Sequence, residues 1–317
     1  MSIQKRVLIV VNKYWECDPV CWALTNNYLR SNCALSSSFW PALQHYPVNG
    51  VVQPQPTQPR LVFHSATTQV EVWCISDLMS QFPSDEQSSS EYKMKVLKHI
   101  FAGSPVPVSL VVAVGTASSG TACPPFQGAV QTNINGSVVV GSKIFMHDAH
   151  PQGSVNPQSQ WRCGYFDKLM NSTASAAGLV RLQDFDALEL ALLWPPNNPA
   201  PNQPRIYVND AFVALGDINV TDYKEYAIKD AETGDAFAKH CPGNQHGVSL
   251  ETTHGLIYAT AREHVQGDPP FLFVSGVVDR YTLFATDVAS KVYAQNVTGA
   301  HNAGVVITEM VAALLGY

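Results

Sequence analysis

The strongest constraint on the fold is a type of strand that has no polar side. In Arg6-Val-Leu-Ile-Val-Val11, residues 7–11 are a continuous run of aliphatic residues. A strand without polar alternation has no face to turn to water, so it is expected inside a sheet covered on both sides. Val108-Ser-Leu-Val-Val-Ala-Val114 and Phe271-Leu-Phe-Val-Ser-Gly-Val-Val-Asp279 read as further strands. Shorter ones are expected at Leu61 to His64, Gln69 to Ile75, Ser137 to Met146, Arg205 to Val208, Ala211 to Val220 and Gly247 to Glu251.

Helices are expected between the strands. One starts at about Asp18. A second is capped by Ser84 and runs through Phe101, with Val96, Leu97, Ile100 and Phe101 on its apolar face. Others are expected from Phe185 to Trp194, stopped by Pro195-Pro196, from Thr221 toward His240, and from Thr252 to Glu263. The stretch from Thr286 to Leu315 reads as one or two more. Alternating strands and helices indicate an α/β fold with helices on both faces of the sheet. The chain is read as one domain, with loop insertions near residues 35–60, rich in Ser, Pro and Gln, and near residues 148–164.

Composition fits a large core. Hydrophobic residues make up 46% and charged residues 14% of 317 residues, against roughly 25% charged in an average globular protein. A net charge of −6 argues against a broad basic surface for nucleic acid and favours a small-molecule partner. The first apolar run is too short for a signal peptide, and no run of ~18 consecutive apolar residues marks a membrane span. The seven cysteines are scattered, without a C-x-x-C pair, so reduced thiols in a cytoplasmic protein are expected. His147 and His150 could ligate a metal but lack a matching cluster. Cys123 and Cys163 lack a base partner. No metal or cofactor is expected.

In α/β folds, ligands collect at the carboxyl ends of strands. Glu16 follows the first strand there. Gly115-Thr-Ala-Ser-Ser-Gly120 follows the central strand and reads as a tight turn of small residues. Glu251 closes another strand, and Asp279 closes the last. Each carboxylate has a plainer reading as a helix cap or buried pair, and the small residues as a permissive turn. Nucleophile-elbow, dinucleotide and P-loop patterns are absent; Ala117 stands where an elbow would carry serine.

The order of these segments resembles the nucleoside phosphorylase superfamily. The carrying segments are Glu16, Val111-Val-Ala-Val-Gly-Thr-Ala-Ser-Ser-Gly120, Val138-Val-Val-Gly-Ser-Lys-Ile-Phe-Met-His-Asp-Ala149, Leu250-Glu-Thr-Thr-His-Gly-Leu-Ile257 and Pro270 to Asp279, with a small-residue-rich C-terminal helix. That superfamily includes purine nucleoside phosphorylases, uridine phosphorylases and methylthioadenosine/S-adenosylhomocysteine nucleosidases. The resemblance implies a three-layer α/β/α sandwich around a mixed, barrel-like sheet, and cleavage of the bond between ribose and base in a purine nucleoside or a 5′-modified relative.

The resemblance also implies roles. Glu251 matches the ribose-binding glutamate, with Leu250 where the family usually has Met. Asp279 matches the acid near the purine N7, and Glu16 the glutamate that orients water. Thr116, Ala117 and Ser118 match the segment that contacts phosphate or water. Tyr223 and Phe237 are candidates to stack on the base. Oxocarbenium-like charge on the sugar calls for a carboxylate, and the leaving base for an acid. Phosphorylases of the family carry an arginine where Ala113 stands, and an early glycine-rich loop that Val10-Val-Asn-Lys-Tyr14 lacks. Both differences favour hydrolysis. Phosphate as co-substrate remains the alternative, with Arg280 able to replace the missing charge, and a non-catalytic nucleoside-binding protein is a third reading. A homo-oligomer is expected, as in the family.

Overall fold

The computed structural model describes residues 3–26, 57–83, 90–102, 104–119, 133–146, 168–171, 185–195, 203–208, 212–215, 248–251, 253–265, 270–280 and 293–315. These residues form a mixed eleven-stranded sheet. Its strands are β1 (Lys5–Val11), β2 (Leu61–His64), β3 (Thr68–Cys74), β4 (Val108–Ser119), β5 (Val138–Gly141), β6 (Lys143–Met146), β7 (Lys168–Asn171), β8 (Ile206–Val208), β9 (Phe212–Leu215), β10 (Val248–Leu250) and β11 (Phe271–Arg280). The helices are α1 (Tyr14–Asn26), α2 (Ile75–Met79), α3 (Ser90–Ala102), α4 (Phe185–Leu190), α5 (His254–His264) and α6 (Tyr293–Leu315).

Strand alternation divides the apolar residues between two cores. Along β1, Val7, Ile9 and Val11 join residues of α1 and α6 on one side. Leu8 and Val10 join residues of α2, α3 and α5 on the other. The molecule is therefore a three-layer α/β/α structure. The lack of polar alternation in β1 and β11 follows, because both faces of these strands are covered. Full burial of each such Val, Leu or Ile contributes roughly 1.5–3 kcal/mol.

The central strand β4 organises the site. One edge pairs with parallel β11 from Val111 to Ser119. The other edge is shared. Parallel β1 pairs with it only as far as Val114, opposite Val11. Antiparallel β10 takes over at Ser118 and Ser119. Between these two partners lies an interval, Gly115 to Ala117, where neither pairs with β4.

Helix α6 is long and apolar enough to cross a membrane by length and composition, and 78% of that stretch is buried inside the molecule. It packs against α1 and β11. A Cβ on Gly276 of β11 would fall 1.9 Å from the Gly299 carbonyl oxygen, so strand and helix meet backbone to backbone. Asn302 of α6 donates to the carbonyls of Gly136 (2.7 Å) and Leu193 (2.8 Å) and accepts from the Leu193 N–H (2.8 Å).

Several expectations need correction. Gly115 to Ser119 is strand, not a turn. Its small side chains serve close packing against the site instead of tight chain reversal. Helix α1 begins at Tyr14, before the expected Asp18, and tolerates Pro19 within it. The segment from Ser137 to Met146 is two strands broken at Ser142. β5 pairs with β11 and β8, whereas β6 pairs with β7 and β9. Helix α4 ends at Leu190, short of Trp194. The insertion at 148–164, most of that at 35–60, the helix expected after Thr221, and Tyr223, Phe237, His147, His150, Cys123 and Cys163 lie outside the described residues.

Candidate active site at the β4 interval

Glu16 fills the interval in the β4 ladder. It lies in the first turn of α1 and is buried. Its Oε1 accepts the backbone N–H and the hydroxyl of Thr116, each at 2.8 Å. Because β1 stops pairing at Val114, the Thr116 N–H has no strand partner on that side and is free for the carboxylate. Glu16 Oε2 accepts the Lys13 N–H at 3.0 Å, which caps the start of α1 in the manner of a capping box. The capping and site readings of Glu16 therefore both hold, one on each oxygen.

Glu251 reaches the same place from the other side. β10 runs antiparallel to β4 with Leu250 opposite Ser118, so the chain leaving it travels back along β4. Glu251 Oε2 accepts the N–H of Thr253 and, at 2.5 Å, that of His254. Those donors open α5, so the carboxylate sits at a positive helix end. Burial pushes the Glu16 carboxyl above the usual range, and the neighbouring Glu251 adds to this, against the bonds from Thr116 and Lys13. Burial also raises Glu251, opposed by the His254 and Thr253 N–H groups and the Lys93 charge.

His254 links Glu251 to β11. Its Nε2 shares a hydrogen bond with Ser275 Oγ at 2.9 Å. Its Nδ1 lies 3.1 Å from Glu251 Oε2, in a geometry that makes no hydrogen bond. Burial pushes the imidazole down to about 4, with Glu16 opposing, so the ring is neutral at pH 7. Gly115 leaves the room these groups need. A Cβ there would sit 3.2 Å from Glu16 Oε1 and 3.4 Å from His254 Cε1.

Asp279 stands on the far side of Ser118. The β11 register shifts between Val277 and Asp279, which sets Asp279 opposite Ser118. The Ser118 hydroxyl donates to Asp279 Oδ1, and Ser119 Oγ reaches the Asp279 carbonyl at 3.4 Å. Leu250 and Asp279 thus flank one residue of β4, each on its own edge. Asp279 and Arg280 are both buried.

The strand-end residues Glu16, Thr116, Ala117, Ser118, Leu250, Glu251 and Asp279 accordingly gather along the last five residues of β4. Sequence reasoning passed over two groups here. His254 directly follows the Glu251-Thr-Thr segment whose N–H groups the carboxylate accepts, and that adjacency is the signal in the sequence. Lys93 comes from α3, far from any strand end, and carried no motif.

No protein-family model matches the chain, and no curated protein matches it. Among solved structures it is similar to a 5′-methylthioadenosine/S-adenosylhomocysteine nucleosidase of Neisseria meningitidis, at 11% identity, covering 97% of this chain and 99% of that chain, with a TM-score of 0.47. It is similar to a futalosine hydrolase of Helicobacter pylori, at 12% identity, 98% of each chain and a TM-score of 0.47. It is also similar to a uridine phosphorylase of Phytophthora capsici, at 12% identity, 96% of this chain and 90% of that chain, with a TM-score of 0.48. A nucleosidase, a futalosine hydrolase and a uridine phosphorylase are thus among the solved structures to which this chain is similar.

Proposed function

We propose that the chain cleaves the N-glycosidic bond of a purine nucleoside or a 5′-modified nucleoside, and that it does so by hydrolysis. The observation that carries this reading is the Glu16–Thr116 pair. Both Thr116 donors, which could otherwise hold a phosphate, are engaged by a carboxylate. A phosphate dianion placed there would meet Glu16 and Glu251 instead of donors. Ala113, where phosphorylases carry arginine, is packed in the apolar core with Leu8, Val10 and Phe273. A water beside Glu16 has the partner it needs.

The roles divide by position. Glu16 orients and deprotonates the water. Glu251, anchored through Oε2, holds the sugar hydroxyls and stabilises the positive charge that develops on the ring. Asp279, oriented by Ser118, delivers a proton to the leaving base. Neutral His254 adds no positive charge beside the developing oxocarbenium ion. The reaction draws on no cofactor in this scheme, the partner is the nucleoside itself, and we place the enzyme in the cytoplasm as a homo-oligomer.

Base release from 5′-methylthioadenosine, inosine, adenosine and uridine, each with and without phosphate, tests the proposal. Release that is independent of phosphate and yields free sugar is expected. Release that requires phosphate and yields a sugar 1-phosphate would replace hydrolysis by phosphorolysis. No release from any nucleoside would overturn the reading.

A further inference from the structure

Strand β11 lies between β4 and β5, and its side chains alternate between the two cores. Leu272 and Val274 join the core of α1 and α6. Phe271, Phe273 and Val277 join that of α3 and α5. Ser275 shares the second face and is fully buried. A hydroxyl on an apolar face needs a hydrogen-bond partner. Ser275 has one in His254, the first residue of α5, at 2.9 Å from Oγ to Nε2. The other nitrogen of the ring meets Glu251, with Nδ1 3.1 Å from Oε2. Serine, imidazole and carboxylate thus stand in series, ending at the proposed sugar-binding group.

The order of contacts is that of a hydrolytic triad, but the working end is reversed. Ser275 sits inside a strand, paired with Gly115 on one side and Val139 on the other, and is fully buried. Its oxygen is not placed to attack a substrate. Glu251 is the member at the site.

The ring is neutral and carries one proton, so only one of its nitrogens donates. With the proton on Nε2, the ring donates to Ser275 and turns the Nδ1 lone pair toward an ionised carboxylate oxygen 3.1 Å away. With the proton on Nδ1, an N–H faces that oxygen and the Ser275 hydroxyl donates to Nε2. At this separation the first arrangement is repulsive and the second attractive. The sign holds although the Nδ1 contact is bent away from hydrogen-bond geometry.

We propose that His254 and Ser275 are positioning residues for Glu251: the Ser275 hydroxyl donates to Nε2 and holds the ring, and the ring presents its Nδ1–H to Glu251 Oε2. That oxygen then faces three N–H groups, those of the Thr253 backbone, the His254 backbone and the His254 ring. Anchored in this way, Glu251 turns Oε1 to the sugar hydroxyls. The proposal deepens the nucleoside-cleaving reading and rests on it for the role of Oε1, whereas the position of the ring proton is independent of it.

Two measurements on the whole protein test the proposal. The first is ¹⁵N NMR at neutral pH with labelled histidine, the His254 ring being assigned by its loss in His254→Gln. The protonated and bare nitrogens of a neutral ring resonate far apart, so the spectrum reads where the proton sits. A proton on Nδ1 is expected, and a proton on Nε2 would overturn the proposal. The second is kcat/KM for base release in Ser275→Ala, alone and combined with Glu251→Gln. Ser275→Ala is expected to lose about tenfold in the otherwise wild-type protein and about twofold or less in the Glu251→Gln background, because the group it positions is already gone. An equal loss in both backgrounds would overturn the positioning role. If the wild type releases no base from any nucleoside, the functional reading fails alone, and the NMR spectrum still decides how Ser275, His254 and Glu251 are arranged.

Discussion

Glu16 and Thr116 are joined by two hydrogen bonds at 2.8 Å across the one stretch of β4 where neither β1 nor β10 pairs with it. The side chain thus stands in for a missing strand partner and, in doing so, brings its carboxylate to the site. Thr116→Val removes the hydroxyl bond and leaves the backbone bond in place. A hydrogen bond to a charged group contributes about 1.5–3 kcal/mol, so chemical denaturation should show a loss of that size or smaller. The rate of base release should fall by about tenfold, because Glu16 gains freedom to turn. Thr116→Ser should recover most of both.

Gly115 is constrained by contact and not by turn geometry. Gly115→Ala places a methyl group 3.2 Å from Glu16 Oε1 and 3.4 Å from His254 Cε1. Overpacking of this kind costs about 1–3 kcal/mol. The expected outcome is a modest drop in melting temperature with a fall in kcat of about tenfold or more. Gly115→Val should be worse in both assays. An alanine variant with wild-type turnover would show that the spacing of Glu16 and His254 does not matter to the reaction.

The titration of His254 has a sign that can be checked. Burial lowers the folded-state value from 6.5 to about 4. Between those values the unfolded chain binds a proton that the folded chain does not. Stability from this group is therefore present above about pH 6.5 and lost as the pH falls toward 4. Glu16 and Glu251 act in the opposite direction, since their raised values make stability fall as the pH rises above 4.5. Comparison with His254→Gln separates the two. The stability advantage of the wild type should grow between pH 4 and 6.5, by an amount on the order of 3 kcal/mol at most. A constant difference across that window would contradict the buried neutral imidazole.

The C-terminal helix carries two structural dependences that differ in kind. Gly276→Ala would drive a Cβ to 1.9 Å from a backbone oxygen of Gly299. Backbone cannot yield as a flexible side chain can, so a loss above about 3 kcal/mol is expected. Asn302→Leu keeps the branched outline of the side chain but strands the Gly136 and Leu193 backbone groups that Asn302 now satisfies. Unsatisfied buried groups cost about 1–3 kcal/mol each. Both variants should lower the denaturation midpoint without altering the pH dependence of whatever activity remains.

The sheet was legible because its strands are apolar on both faces; β1 and β11 could hardly be anything else. The placement of Glu16, Glu251 and Asp279 along one end of β4 was legible because all three lie at strand ends, where such folds gather their polar residues. The nature of residues 115–119 was not legible. Small residues signal a turn when read locally, and only the long-range pairing with β11 and β10 makes them strand. The early start of α1 was hidden because Lys13 is a poor cap by type, and the capping carboxylate comes from within the helix, at Glu16.

The central claim is that Glu16, Glu251 and Asp279 form one catalytic site. The most direct measurement is base release by Glu16→Gln, Glu251→Gln and Asp279→Asn, each compared with wild type on the substrate it turns over best, with folding checked by thermal melting. Each change nearly keeps the shape but removes the carboxyl group, so each variant should stay folded and lose about a hundredfold or more in kcat/KM. A folded variant at any of the three positions that releases base at the wild-type rate would contradict the claim.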